Sequence, residues 1–389
     1  MSATGVIDDI TIRSVPRGWS YSDLATPGDG TVQSIAWAPD GERIAVLSFP
    51  PVGPLGGMAG HGILAFLRPN PWRYENTVTE LEPAMVSESL AWEPSSRRIA
   101  ILEPERVAVW DPIMNTQGGT IAENEAVPTS VAWNRDGTLA ISYVYPDATA
   151  VRLYGTDVGE GYPPRASLVL DPSLDVVSIG WSRDGDQLGA VLSRGDHFEL
   201  RSWWRPQNAL SPDGWSSDKP VSVDLSGSFV ADPDLSKAWS SEGLLAVAVQ
   251  KFANGKDDDE GILTNLVFWA GLGGADALRT IPIPVPQLRL FGCAWSHNDR
   301  WVASRGSEEV MLFSHSENTA YRLPSFFSRV DPAAAAGIGD TDTTYFSDLG
   351  FTVCLSWSPT DDQLAVGNVG GLRVFDVAAL REVAESVRR

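Results

Sequence analysis

Between Val32 and Ser48 the apolar residues fall into two short runs on either side of a polar corner. Val32, Ile35 and Trp37 make the first run and Ile44 to Leu47 the second, while Pro39-Asp40-Gly41 between them is turn chemistry in which glycine accepts positive φ. The pattern predicts a β-hairpin, and two strands alone cannot bury a face. Repetition supplies the neighbours: Ser89-Leu-Ala-Trp92, Ser130-Val-Ala-Trp133, Ser178-Ile-Gly-Trp181, Ser236-Lys-Ala-Trp239, Gly292-Cys-Ala-Trp295 and Cys354-Leu-Ser-Trp357 repeat the frame that ends at Trp37. A small residue precedes every Trp (Ala36, Ala91, Ala132, Gly180, Ala238, Ala294, Ser356), and a second small residue follows seven or eight positions later (Ala45, Ala100, Ala140, Gly189, Ala246, Ala303, Ala365). Small residues on two paired strands permit close backbone approach, and the Trp is then the wedge between neighbouring sheets.

The hairpins recur every 41 to 62 residues, a unit of about 40 residues with insertions, as expected of a four-stranded propeller blade. A third apolar strand follows each hairpin, clearest at 106–111, 198–203, 266–269, 310–313 and 372–376. A fourth precedes the next copy at 77–81, 166–170, 221–225 and 277–281. On these residues the chain resembles the WD40 family of β-propellers. The likeness implies an all-β, seven-bladed β-propeller, closed by an N-terminal strand that completes the last blade and removes the free sheet edge. Residues 10–15 are the expected closing strand. The expected blades are 30–83, 84–125, 126–171, 172–226, 227–283, 284–324 and 350–377 with 10–15, forming one domain with an insertion at 325–349 and a tail at 378–389. The family's Gly-His dipeptide before the first strand is missing in every blade, and Trp-Asp occurs once, at Trp110-Asp111. The His-Asp-Trp network of the family is therefore not carried over.

Charge narrows the partners. Fifty acidic residues against 29 basic ones give a formal net charge of −21, which argues against direct nucleic-acid binding because that mode needs clustered Lys and Arg. A basic protein partner fits an acidic ring. The absence of an apolar run near the ~20 residues of a membrane helix and of a secretory start at Met1, with only Cys293 and Cys354 as thiols, leads to the expectation of an intracellular protein, cytoplasmic or nuclear. The two cysteines read as buried free thiols in a reducing compartment.

Loops on a rigid ring are where such proteins bind. The densest acidic cluster is Asp257, Asp258, Asp259 and Glu260 with Asp232 and Asp234, a candidate surface for Arg- or Lys-rich partners or a solvated loop. Trp204 and Trp215, if exposed, are aromatic anchors of the kind that dominate interfaces, and Phe326 and Phe327 open a 325–349 insertion that reads as a docking arm or a locally packed loop. Three insertions, 49–62, 250–264 and 325–352, are expected on the top face, opposite the Asp-Gly-type hairpins, and 203–220 on the bottom.

No catalytic, cofactor or metal motif is found. His61, His197, His297 and His315 have no paired metal-ligand spacing, and neither a nucleophile elbow nor a phosphate-binding Gly-Lys-Ser/Thr loop is present. The expected function is an interaction scaffold or adaptor subunit that holds protein partners through its loops. A propeller enzyme or small-ligand binder with a site at the mouth of the central channel, and an acidic chaperone for a basic client, are the alternatives. The ligand-site alternative expects a concave top-face pocket with converging carboxylates or a metal.

Overall fold

A computed structural model describes residues 11–14, 21–24, 31–49, 61–82, 89–155, 163–195, 197–204, 221–225, 230, 233–252, 262–270, 278–282, 290–306, 310–314, 319–323, 354–368 and 371–377. These residues form seven sheets, antiparallel but for one added edge strand, arranged as a seven-bladed β-propeller. Blade 1 comprises Thr31–Trp37, Ile44–Phe49, Gly62–Arg68 and Arg73–Leu81. Blade 2 comprises Leu90–Trp92, Ile99–Leu102, Val107–Asp111 and Thr116–Ile121. Val127–Trp133, Leu139–Val144, Thr149–Tyr154 and Ala166–Leu170 make blade 3. Asp175–Trp181, Gln187–Arg194, His197–Trp204 and Val221–Asp224 make blade 4.

The expected pairing of small residues is met at Cα level. Ala36 faces Ala45, Ala91 faces Ala100, Ala132 faces Ala140, Gly180 faces Gly189, Ala294 faces Ala303 and Ser356 faces Ala365. Each pair leaves a flat patch on its blade, and the Trp of the following blade covers it. Indole Nε1 of Trp92 donates to the Ala36 carbonyl at 2.9 Å, Trp181 to Ala132 at 3.1 Å, Trp239 to Gly180 at 3.1 Å and Trp357 to Ala294 at 3.0 Å. The repeat thus encodes both its own hairpin and the joint to its neighbour. Seven apolar clusters fill the seven seams, and the one joining blade 7 to blade 1 sets Val32, Ile35 and Val46 against Cys354, Ala365 and Leu372. That last cluster closes the ring.

The hairpin corners obey one rule. Four residues after each Trp stands a residue with positive φ: Gly41, Ser96, Gly137, Gly185, Gly243, Asp299 and Asp361. Where glycine is replaced, the side chain compensates for its left-handed backbone by binding the preceding blade. Ser96 Oγ accepts from the Asp40 amide at 3.0 Å. Asp299 accepts from the Ser241 amide at 2.9 Å. Asp361 accepts from the amides of His297 at 2.5 Å and Asn298 at 2.6 Å.

Three expectations need correction. Residues 11–14 do not complete the last blade; they pair parallel with Thr319–Arg322 as a fifth strand on blade 6. The closing strand is Tyr21–Leu24, antiparallel to Gly371–Asp376, with Asp23 opposite Arg373 and bonded to its Nε at 2.6 Å. A closing strand must lead directly into the inner strand of blade 1, and Leu24 is far nearer in the chain to Thr31 than residue 15 is. Second, the fifth copy, Ser236 to Trp239, is not a strand. Leu235 to Lys237 form a turn, Trp239 makes only an isolated bridge to Leu245, and blade 5 keeps the three strands Leu244–Phe252, Ile262–Ala270 and Leu278–Pro282. Third, the blade 5 hairpin continues to Phe252 opposite Ile262, so the insertion expected over 250–264 is shorter by several residues at each end.

Candidate functional site

The tryptophan wedges surround a cavity of about 410 Å³ on the hairpin side of the ring, and all seven repeat tryptophans line it. Its position follows from strand direction: every inner strand ends at its Trp, and the hairpins that follow form the rim.

What distinguishes this cavity from a plain channel is the turn in blade 5. In the column two residues before the Trp the other copies carry Ile35, Leu90, Val131, Ile179, Cys293 and Leu355, whereas the fifth carries Lys237. Because the backbone there is a turn, Lys237 crosses the channel. Its ammonium donates to the Ile35 carbonyl of blade 1 at 3.0 Å and to Asp234 Oδ2 at 2.6 Å. The turn itself is fixed by Trp295, whose amide donates to the Lys237 carbonyl at 2.8 Å. The Lys237–Asp234 pair thus forms a bar across the channel, with side-chain exposures of only 17% and 14%.

Arg183 holds the rim. From the blade 4 corner it reaches blade 6, donating through Nη1 to the His297 carbonyl at 2.7 Å and through Nη2 to the carbonyls of Ser296 at 2.7 Å and Trp295 at 3.2 Å. Asp299 lies 3.4 Å away. Burial pushes this guanidinium down from its ordinary value, opposed by Asp299 and Asp361. Among the described residues the cavity lining carries Lys237, Arg183 and His297 and no carboxylate. Each of these groups has its carboxylate partner outside that lining, Asp234 for Lys237, Asp299 for Arg183 and Asp361 for His297, so the site is aromatic-walled with its charges paired. Four tryptophan N–H groups are spent on carbonyls, but those of Trp37 and Trp133 have no hydrogen-bond partner among the described residues.

Of the residues proposed from sequence, two are described, Asp234 and Trp204. Asp234 pairs with Lys237 at 2.6 Å, with its side chain 14% exposed. Trp204 ends the third strand of blade 4 and is 38% exposed, while its neighbour Trp203 is buried in the seam between blades 3 and 4. Asp232, Asp257, Asp258, Asp259, Glu260, Trp215, Phe326 and Phe327 lie outside the described residues. The cavity found opens on the hairpin face and has no carboxylate among its described lining residues, unlike the top-face acidic pocket that the ligand-site alternative expects. Among the described residues no group of three or more His, Cys, Asp or Glu is placed to hold a metal ion, and no helix is long and apolar enough to cross a membrane. Cys293 and Cys354 are free and buried, and burial pushes both thiols up to about 12. Sequence reasoning missed Lys237 and Arg183; the signal for the first was a lysine in a column otherwise without charge.

Comparison with known proteins places the fold and nothing narrower. A chain of Kuenenia stuttgartiensis hydrazine synthase superposes with a TM-score of 0.60 at 13% identity, covering 93% of this chain and 99% of that one. U3-55K superposes with a TM-score of 0.56 at 11% identity, covering 92% and 98%. Both share the ring. No family model matches the chain, and no curated protein matches it.

Proposed function

We propose that this chain is a protein-interaction scaffold, a subunit of a larger assembly, and a divergent relative of the WD40 propellers. The observation that carries the reading is the blade 2 corner after Asp111. Ile113 and Met114 there are 58% and 69% exposed, yet their backbone is held firmly. Asp111 Oδ1 accepts from both of their amides at 2.9 Å, and Asn76 of blade 1 donates to the Pro112 carbonyl at 2.8 Å. Turn chemistry asks for no apolar residues at such a tip, and two large ones presented on a pinned corner make a preorganised anchor of the kind that interfaces use. Tyr74 of blade 1, on the strand that carries Asn76, is also exposed, at 44%.

The fold supports the same reading, since propellers carry many functions on one rigid frame. The acidic run 257–260, Asp232, Trp204, Trp215, Phe326 and Phe327 belong to the proposal as further contact points, with a basic protein as the partner that the net charge favours. Two buried free thiols fit an intracellular setting. The test is co-purification of tagged protein from native lysate, with Ile113→Ser and Met114→Ser combined as the comparison. Stoichiometric partners that are lost in the variant, at an unchanged unfolding temperature, are expected. Monodisperse, partner-free protein over a range of salt refutes the scaffold; partners retained in the variant refute this corner as the anchor.

A further inference from the structure

We infer that the hairpin-face cavity is a binding site for a compact aromatic molecule carrying an oxyanion, with Lys237 as the group that receives the charge. Four observations converge. The volume, about 410 Å³, lies within the roughly 300–1,000 Å³ typical of small-molecule sites. The wall is aromatic, and four of its seven indoles are bonded to neighbouring blades. Among the described residues the charged groups of the lining are Lys237, Arg183 and His297, with their carboxylate partners Asp234, Asp299 and Asp361 set outside it. Finally, donors remain. An ammonium has three N–H groups, of which Lys237 spends one on Ile35 and one on Asp234.

Lys237 is held at this point by backbone rather than by chance of rotamer. Its turn rests on Gly180, where a Cβ would overlap the Leu235 carbonyl and stand 2.7 Å from the Ser236 amide. An acceptor entering from the hairpin face meets the ammonium beyond the tryptophan wall. The acidic residues of the outer rim (Asp40, Asp136, Asp184, Glu242) oppose a free anion at long range, so the aromatic part must contribute to affinity. Ligand chemistry is thereby confined to molecules with both features.

The experiment titrates the full-length protein with anilinonaphthalene sulfonate and follows energy transfer from tryptophan to probe. One saturable site is expected. Lys237→Met, which keeps the stem and removes the charge, weakens it by about tenfold, the effect of one charge-assisted hydrogen bond. Ser236 is exposed to the cavity, so Ser236→Phe fills the space without entering the core and abolishes binding at unchanged unfolding temperature. Val169→Ser, on the outer strand of blade 3 and 71% exposed, leaves it unaltered. Phenylnaphthylamine, the same rings without the sulfonate, binds the native protein about tenfold more weakly and does not distinguish Lys237→Met from native. Absence of a saturable site, or a site that survives Ser236→Phe, overturns the assignment. Equal affinity for both probes overturns the oxyanion part. If Lys237→Met does not fold, Ser236→Phe and the probe pair still decide.

Discussion

Gly189→Ala should destabilise the ring, although every sequence-based argument says the reverse. Six of the seven copies have Ala at this position, so the substitution restores the consensus. Gly in a strand interior also costs roughly 0.5–1 kcal/mol relative to Ala. The structure opposes both considerations. A Cβ at Gly189 would lie 2.6 Å from Cζ2 of Trp239 and 3.4 Å from its Cε2, where ordinary contact begins near the second of these distances. The indole must retreat by nearly an ångström. Trp239 is 2% exposed and bonded through Nε1 to the Gly180 carbonyl, so it has no free space to move into. Overpacking of this kind costs about 1–3 kcal/mol, and after the strand gain a net loss of about 1–2 kcal/mol remains.

Calorimetry on the full chain measures it. With an unfolding entropy of about 2.1 cal/mol/K per residue and 389 residues, cooperative unfolding of the ring gives about 0.8 kcal/mol per degree, so a fall in Tm of about 1–3 °C is expected. The cause is isolated by Trp239→Phe, which removes the atoms in the way: in that background Gly189→Ala should cost nothing or stabilise. A Tm that rises in Gly189→Ala alone, or a cost that is the same in both backgrounds, refutes the steric argument.

Other consequences are simpler. Trp92→Phe should cost about 1 kcal/mol more than Trp37→Phe by chemical denaturation, because only Trp92 donates to a neighbouring carbonyl, at Ala36, and its loss leaves that buried oxygen without the bond. Cys293 and Cys354 should resist a thiol reagent in the native state and both react once the chain is unfolded, since burial raises their pKa to about 12. Burial alone would raise the Glu93 carboxyl, but Arg98, Ser95 and Arg97 outweigh it and hold it below its ordinary 4.5. Its contribution is therefore present above pH 4.5 and lost as pH falls through the depressed value, so Glu93→Gln should lessen the loss of stability on acidification, followed by circular dichroism.

Most of the ring was written in period and residue size. Seven Trp-marked hairpins predicted seven blades, and the two columns of small residues predicted the face-to-face pairs that the structure contains, because both signals are local and repeat many times. Closure was harder to read. Residues 10–15 and 21–24 are both short, and which one ends the ring depends on chain length to the next inner strand, a geometric matter that propensity does not encode. The pairing of Asp234 with Lys237 was not legible for a related reason: counting charges along the chain does not say which of them a turn brings together. Arg183 gave no local signal at all, since its partners are over a hundred residues away.

The fifth copy shows how a single local departure can organise a site. Its Ser-Lys-Ala-Trp frame looks like the others, but the strand is replaced by a turn whose Leu235 carbonyl occupies the space of a side chain at position 180. Blade 4 is accordingly the one blade in which both members of the small pair are glycine, Gly180 and Gly189: the first admits the turn, and the second leaves room for Trp239. The same displacement carries Lys237 across the channel and partly closes it. Two glycines, a lysine in an uncharged column and a missing inner strand are therefore one feature. It follows that placing a leucine at 237 would not restore the strand, because the backbone, not the side chain, rests on Gly180; only the bar across the channel, and the charge within the cavity, would be lost.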